Sequence, residues 1–559
     1  MHLDDALKVI GEFGRYQKTR LLLLCGFAVV SAWHALNMVF VGAEPRFHCS
    51  THDVNTTRFN FSQSQLQEML IPAPADTQCY RLNPDEALPE LVGNASDVNV
   101  TGIGRESCPA GYVFYTDQYD STITSDFELV CDRKFWRSTS RSVFFAGRLV
   151  GAVIFGQLSD RFGRRPLFFV GVAMLVVAGG VASAAPSMLV FLPMYFLQGA
   201  AHTGAFLVSF TLSTELVGPK YRVIAGFVIQ SFYSVGFMSL AGIAYFIRDW
   251  RYLEIAITAP AVLFVVYWWF LSESIRWLLS HNEEERARQV LTEAARINGR
   301  EVPPELLKEL QSDPAMKATR QYTVLDCVRT PAMAKLSLNV WFNWLVNALV
   351  YYGLSLNTEN LAGSPYLNFC LAGAVEIPAY LLCIVLLNRV GRRLPLIVTM
   401  YLGGLACILS GVIPKHTEAL QTATIVLAMV GKFGITASYG IIYLAAAEVF
   451  PTVVRNIGMG VSSMSARIGG ILAPIILESA SVLPVLPMLL FGSLSVLAAT
   501  LAFLLPETAG RPLPQLLENV DIGRGCASSF CCGKSDKAEI TVDNDIPLKD
   551  GKGKNGNSV

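Results

Sequence analysis

Apolar runs long enough to cross a bilayer, broken by short charged stretches, set the pattern of this chain. Leu21–Ala43, Val223–Ile247 and Val482–Leu505 each exceed the ~20 residues that carry a helix across ~30 Å of hydrocarbon. Pro166–Thr214 holds no Asp, Glu, Lys or Arg, which predicts two spans hinged at "AAPS" (184–187). Twelve spans are expected in all: 21–43, 138–158, 166–186, 188–212, 223–247, 253–271, 336–357, 365–387, 394–413, 420–446, 456–478 and 483–505. The runs are continuously apolar rather than alternating, so they predict helices and not barrel strands. The first run is full length and follows a polar, charged stretch at 1–20, so no cleavable leader is expected.

Composition agrees with an all-α polytopic membrane protein. The chain is 52% hydrophobic and 16% charged, where a soluble protein would carry about 25% charged residues. Mean hydropathy is +0.42. Net charge is zero, so there is no footprint for nucleic acid. The expected partners are the lipid bilayer and a small molecule.

Between the first two spans lies a polar insert, 44–137. It holds the four N-x-S/T sequons of the chain, at Asn55, Asn60, Asn94 and Asn99, and the cysteines Cys49, Cys79, Cys108 and Cys131. Sequons beside an even cysteine count predict an oxidising, extracellular face with glycans and two disulfides; three pairings are open. With the insert outside, both termini are cytoplasmic. The basic clusters "DRFGRR" (160–165), "PKYR" (219–222) and "NRVGRR" (388–393) then fall inside, as the positive-inside rule asks. A charged cytoplasmic segment, 273–335, contains a helical pattern at 282–299. It separates a six-span half at 1–272 from another at 336–506. The tail, 507–559, reads as disordered, and its "CASSFCC" (526–532) is a weak palmitoylation motif.

The halves repeat. Asp160 and Asn388 stand 228 residues apart in matching motifs, Glu215 and Glu448 are 233 apart, and Glu273 and Glu507 are 234 apart. A duplicated six-span unit is how rocking transporters are built, with substrate bound near the midplane between the halves. The clusters then become gate elements bridging neighbouring helix ends: Asp160, Arg161, Arg164, Arg165, Glu215 and Arg222 in one half, Arg389, Arg392, Glu448 and Arg455 in the other.

These motifs resemble the major facilitator superfamily, and within it the organic cation, anion and zwitterion transporters of solute carrier family 22. "GQLSDRFGRR" (156–165) resembles the superfamily's loop between spans two and three. "ESCPAGYVFYTDQYDSTITSDFELVC" (106–131), "YFIRDWR" (245–251), "NTENLAG" (357–363), "VEIPAY" (375–380) and "AAEVFPTVVRN" (446–456) are similar to further family segments. The resemblance runs from about residue 4 to about 515 and is closest to invertebrate organic cation transporter proteins and carnitine-transporting members. It implies the major facilitator fold and cavity roles for Gln230, Trp344, Tyr351, Glu376, Tyr439 and Arg467. Two departures stand out. Ser272 and Ile275 replace family prolines. Arg467 stands where the cation-selective vertebrate branch has aspartate, while anion and carnitine branches carry arginine.

Arg467 sits ~18 Å along its helix from Arg455, more than halfway across the membrane. Its planar fork suits a carboxylate; a structural ion pair with Glu376 or Glu448 is the alternative. Glu376 could likewise balance an ammonium or Arg467. Trp344 and Tyr351, seven residues apart, share a helix face able to hold a quaternary amine. Lys432, Arg141, Arg148 and Glu254 are the other charges within spans, and His34 and His202 are packed histidines or proton carriers. The expectation is a plasma-membrane transporter of organic cations or carnitine-like zwitterions working by alternating access. An organic-anion exchanger and a sensor without flux remain alternatives. No metal cluster, nucleotide loop or nucleophile elbow occurs in the sequence, so no enzyme and no cofactor are expected; sodium or proton coupling stays open.

Overall fold

The computed structural model describes residues 3–54, 62–71, 79–93, 103–301, 303, 323–414, 416–451 and 453–509. These fall within one compact unit, Met1–Ile522; the second unit, Gly523–Val559, lies outside the described residues together with the four sequon asparagines and "CASSFCC". Twelve membrane helices follow one another: α1 Arg15–Leu36, α2 Phe135–Phe162, α3 Arg164–Ser183, α4 Met188–Leu216, α5 Arg222–Phe246 and α6 Trp250–Thr258 in the first half. The second half has α7 Pro331–Leu356, α8 Glu376–Arg389 with a preceding segment Pro365–Ala374, α9 Arg393–Val412, α10 Glu418–Val449, α11 Arg455–Glu478 and α12 Leu486–Ala502.

Each predicted span is present, with differences at the ends. Helix α6 tightens into a 3-10 run, Ala259–Trp269, with Pro260 at its start. Its side chains, such as Leu263 (69% exposed) and Trp269 (73% exposed), face outward as a lipid-facing surface should. Among the described residues, nine helices are long and apolar enough alone to cross a membrane. Helices α4 and α7 fall short because polar residues interrupt them, and α12 because it has only 17 residues. In α7, Asn339, Asn343 and Asn347 form a ladder in which the Asn343 and Asn347 amides each donate back to the preceding Asn. The ladder ties α7 to the Leu501 carbonyl and to Ser438 of α10, so this polarity is internal fastening. Helices α2 and α4 approach so closely that a Cβ on Gly151 would collide with the Ala200 backbone.

The halves meet along two symmetry-related seams, α2 with α11 and α5 with α8 and its preceding segment. Toward the insert, the seams are closed. Glu359, just past α7, binds Arg137 (2.7 Å) and Arg141 (2.8 Å) of α2. Ser138 donates to Glu478 (2.5 Å), and Phe237 packs on Phe369 with ring centroids 4.3 Å apart.

The insert itself folds around two antiparallel strand pairs: β1 Phe47–Cys49 with β4 Tyr112–Phe114, and β2 Tyr80–Leu82 with β3 Arg105–Ser107. Cys49 pairs with Cys108 and Cys79 with Cys131, which selects one of the three open pairings. Arg81 is buried beneath them, held by Asp53 (2.5 Å) and Glu106 (2.8 Å). Hydrogen bonding to that guanidinium keeps the Asp53 carboxyl below its ordinary value. On the opposite side, the helix Glu284–Asn298 of the inter-half segment docks on the first half. Its Asn298 accepts the Tyr16 N–H (2.9 Å) and donates to the Ile10 carbonyl (2.9 Å).

Candidate functional site

Two charged groups lie between the halves near mid-membrane. The first surrounds Glu376, which is fully buried and does not meet Arg467. Its carboxylate binds the Lys432 ammonium at 3.0 Å and accepts hydrogen bonds from Tyr351 (2.6 Å) and Ser234 (2.7 Å). Lys432 lies 3.3 Å from the Tyr351 ring centroid and 5.3 Å from that of Phe237, and it donates to Ser355 Oγ (2.6 Å). Glu448, the other acid considered for Arg467, is also taken: Arg392 grips it with two bonds of 2.9 Å.

The second group is what this leaves. Among the described residues Arg467, on α11, bonds only the Ser463 carbonyl (2.7 Å) and hydroxyl of its own helix, and its buried Nε has no partner there. Its strongest electrostatic neighbours are Tyr443, Arg148, Tyr439 and Tyr352. Arg148, on α2, bonds Thr203 (3.1 Å) and stacks on Phe145 (5.3 Å) and Tyr352 (5.0 Å), with a buried Nη1 unpartnered. Two guanidiniums from opposite halves thus face one tyrosine cluster, with no acid bound to either among the described residues. Trp344 is fully buried behind that cluster, 4.2 Å from Tyr443 and 6.3 Å from Tyr439 by ring centroids. Tyr443 is 37% exposed, so the cluster is only partly covered by protein. Gln230 lies half-buried on α5, one turn from Ser234.

The structure therefore splits the six predicted cavity residues. Arg467, Tyr439 and Trp344 belong to the open cluster, Tyr351 and Glu376 to the closed Lys432 knot, and Gln230 sits on the α5 seam. Sequence reasoning missed Tyr443 and Tyr352 as cluster members. Their signals were present: Tyr443 follows Tyr439 by one turn, and Tyr352 adjoins Tyr351. His34 and His202 are packed in the first half, against Gln198 (2.9 Å) and Ser31 (2.7 Å), where Asn37 and Gln198 also bind Glu254.

At the end opposite the insert, the gate residues form the same device twice. Gly163 and Gly391 adopt φ of +102° and +111°, in the left-handed region that favours glycine. The turn each makes brings a glutamate onto the next helix start. Glu273 accepts the backbone N–H groups of Arg164 (2.9 Å) and Arg165 (3.1 Å), and Glu507 those of Arg392 (2.9 Å) and Arg393 (3.0 Å). Arg164 also pairs with Asp160 (2.9 Å) and, at 3.5 Å, with Glu215. These bridges join helix ends within one half. Arg161 lies over Phe162 (5.3 Å), Arg455 donates to the Phe450 carbonyl (3.3 Å), Arg389 is exposed and Arg222 is half-buried.

Twelve helices in two repeats around a midplane cluster define a membrane transporter of the major facilitator class. The solved structure of the proton:xylose symporter XylE from E. coli has this fold, with a TM-score of 0.58 at 15% identity, covering 89% of this chain and 98% of that one. Residues 104–519 match the family described as sugar (and other) transporter. The organic cation transporter protein of Drosophila melanogaster is 40% identical over 93% of this chain and 94% of its own. The human organic cation/carnitine transporter 2 is 35% identical over 92% and 93%. The chain belongs to the sugar (and other) transporter family and, within it, to solute carrier family 22.

Proposed function

We propose that this protein carries small organic cations and zwitterions, carnitine-like compounds included, across the plasma membrane by alternating access. Its insert faces outside and its termini lie in the cytoplasm. The observation that carries the reading is Arg467: a guanidinium at mid-membrane, half-buried, with an unpartnered Nε and no carboxylate of its own. A bound carboxylate supplies the missing acceptor, through charge-assisted hydrogen bonds that strengthen where water is scarce. The tyrosines Tyr439, Tyr443 and Tyr352 then border the bound molecule. With this orientation the conformation is closed toward the outside by the Arg137–Glu359 and Arg141–Glu359 pairs.

A second reading, organic-anion exchange, is favoured by one fact. Arg148 adds a second guanidinium, and Glu376 is already neutralised by Lys432. Surface-normalised uptake of carnitine, a permanent cation without carboxylate, and a dicarboxylate in wild type and Arg467→Asp decides between them. Wild type should take up carnitine, and Arg467→Asp should lose about 30-fold or more of it, the worth of a charge-assisted bond of ~2 kcal/mol. Permanent-cation uptake should survive. Dicarboxylate uptake exceeding that of carnitine would install the anion reading. Equal loss for all substrates in a variant that reaches the surface would remove the carboxylate anchor.

A further inference from the structure

Lys432 occupies a seat that an ammonium ligand would choose. Its Nζ lies over the Tyr351 ring at 3.3 Å, touches the Glu376 carboxylate at 3.0 Å and donates to Ser355 at 2.6 Å. Phe237, 5.3 Å away, closes the far wall. An aromatic face opposite a carboxylate is how proteins hold ammonium groups that arrive from solution; here the group is built in. The seat is also shared between halves. Ser234, which donates to Glu376, and Phe237 come from α5, while Tyr351, Glu376 and Lys432 come from α7, α8 and α10. A buried Glu376 demands a cation at every moment, because an uncompensated charge there is costly. One cation can leave only as another enters.

We propose that Lys432 is a tethered stand-in for the substrate's ammonium group. It holds the seat, with both halves closed around it, and yields to an amine of the cargo, so that Glu376 always faces one cation. Lys432 thereby sets which cations the carrier accepts. Small amines compete poorly with a tethered ammonium, whereas a zwitterion anchored at Arg467 gains on it through that second contact. This rests on the carboxylate-anchor reading for its cargo but not for its test.

Lys432→Ala removes Cγ, Cδ, Cε and Nζ, the outline of n-propylammonium. Thermal stability of the purified protein is followed against n-propylammonium in wild type, Lys432→Ala and Lys432→Ala/Glu376→Gln. The single variant should respond at about tenfold lower amine than wild type, as a desolvated cation–π contact warrants. The double variant should lose that gain. An equal response in the single variant and wild type, or a gain that survives Glu376→Gln, overturns the proposal. Should Lys432→Ala not fold, Lys432→Gln keeps a donor to Glu376; a response equal to that of wild type overturns it there too. Amine binding that persists in Lys432→Ala/Arg467→Asp, alongside lost carnitine uptake in Arg467→Asp, keeps this seat separate from the anchor.

Discussion

At the scale of single residues, the two central charges behave oppositely. Glu376 is satisfied three times over, by Lys432, Tyr351 and Ser234, whereas Arg467 reaches, among the described residues, only Ser463 on its own helix. Glu376→Gln should therefore strand the Lys432 ammonium and cost about 3–5 kcal/mol of stability, seen as a lower Tm and less protein at the surface. Tyr351→Phe removes one bond to a carboxylate and should cost ~1.5–3 kcal/mol. A Glu376→Gln protein as stable as wild type would show that the ion pair contributes no net stability. Arg467 was legible in the sequence because it is an isolated charge in an uncharged window. The partner of Glu376 was not. Choosing Lys432 over Arg467 needs the relative rotation of α8, α10 and α11, which follows from packing and leaves no mark on any one span.

Elements were legible in proportion to their polarity contrast. The twelve apolar runs stood out, and so did the repeated Gly–Arg–Arg motif and its distant glutamates, whose nearly common offsets marked the duplication; that Glu273 and Glu507 cap the motif was not visible, because it depends on how the helices pack. The 3-10 run after α6 and the break at Val375 before α8 were not visible, since composition is apolar on both sides of each. The motif's chemistry makes two predictions. Gly163→Ala and Gly391→Ala force a Cβ onto left-handed backbone and against Glu273 or Glu507, so each should lose at least about 1–2 kcal/mol. Gly156→Ala, in open space mid-helix, should match wild type or gain slightly; equal Tm for all three variants would refute the assignment.

The second prediction concerns acid. Burial would raise the Glu507 carboxyl, but the N–H groups of Arg392, Ala509, Arg393 and Thr508 outweigh it and hold it below its ordinary value. Its stabilisation is thus complete above the unfolded carboxyl value of ~4.3 and is lost as pH falls through the lower folded value. Glu507→Gln should lower Tm at pH 7, and the gap to wild type should close in acid.

For the whole molecule, the proposed alternating access turns on the seam closed on the side of the insert. Glu359 alone holds both Arg137 and Arg141 across the halves, so Glu359→Gln should shift the population about fivefold, or ~1 kcal/mol, toward the outward-open state. Labelling from outside of a cysteine placed at Tyr352 measures it, and an unchanged rate would exclude a latch at Glu359. Glycosidase applied to intact cells checks the orientation: any glycan left after Asn55, Asn60, Asn94 and Asn99 are all changed to Gln would overturn it. The insert carries one more consequence. Its two disulfides interleave along the chain, Cys49 to Cys108 across Cys79 to Cys131. A protease site engineered between Val54 and Ser62 would thus sever the backbone without parting the pieces, and the cut carrier would run as one band until reduced. Proteolysis there would be silent, because covalent continuity of the insert does not depend on an unbroken main chain.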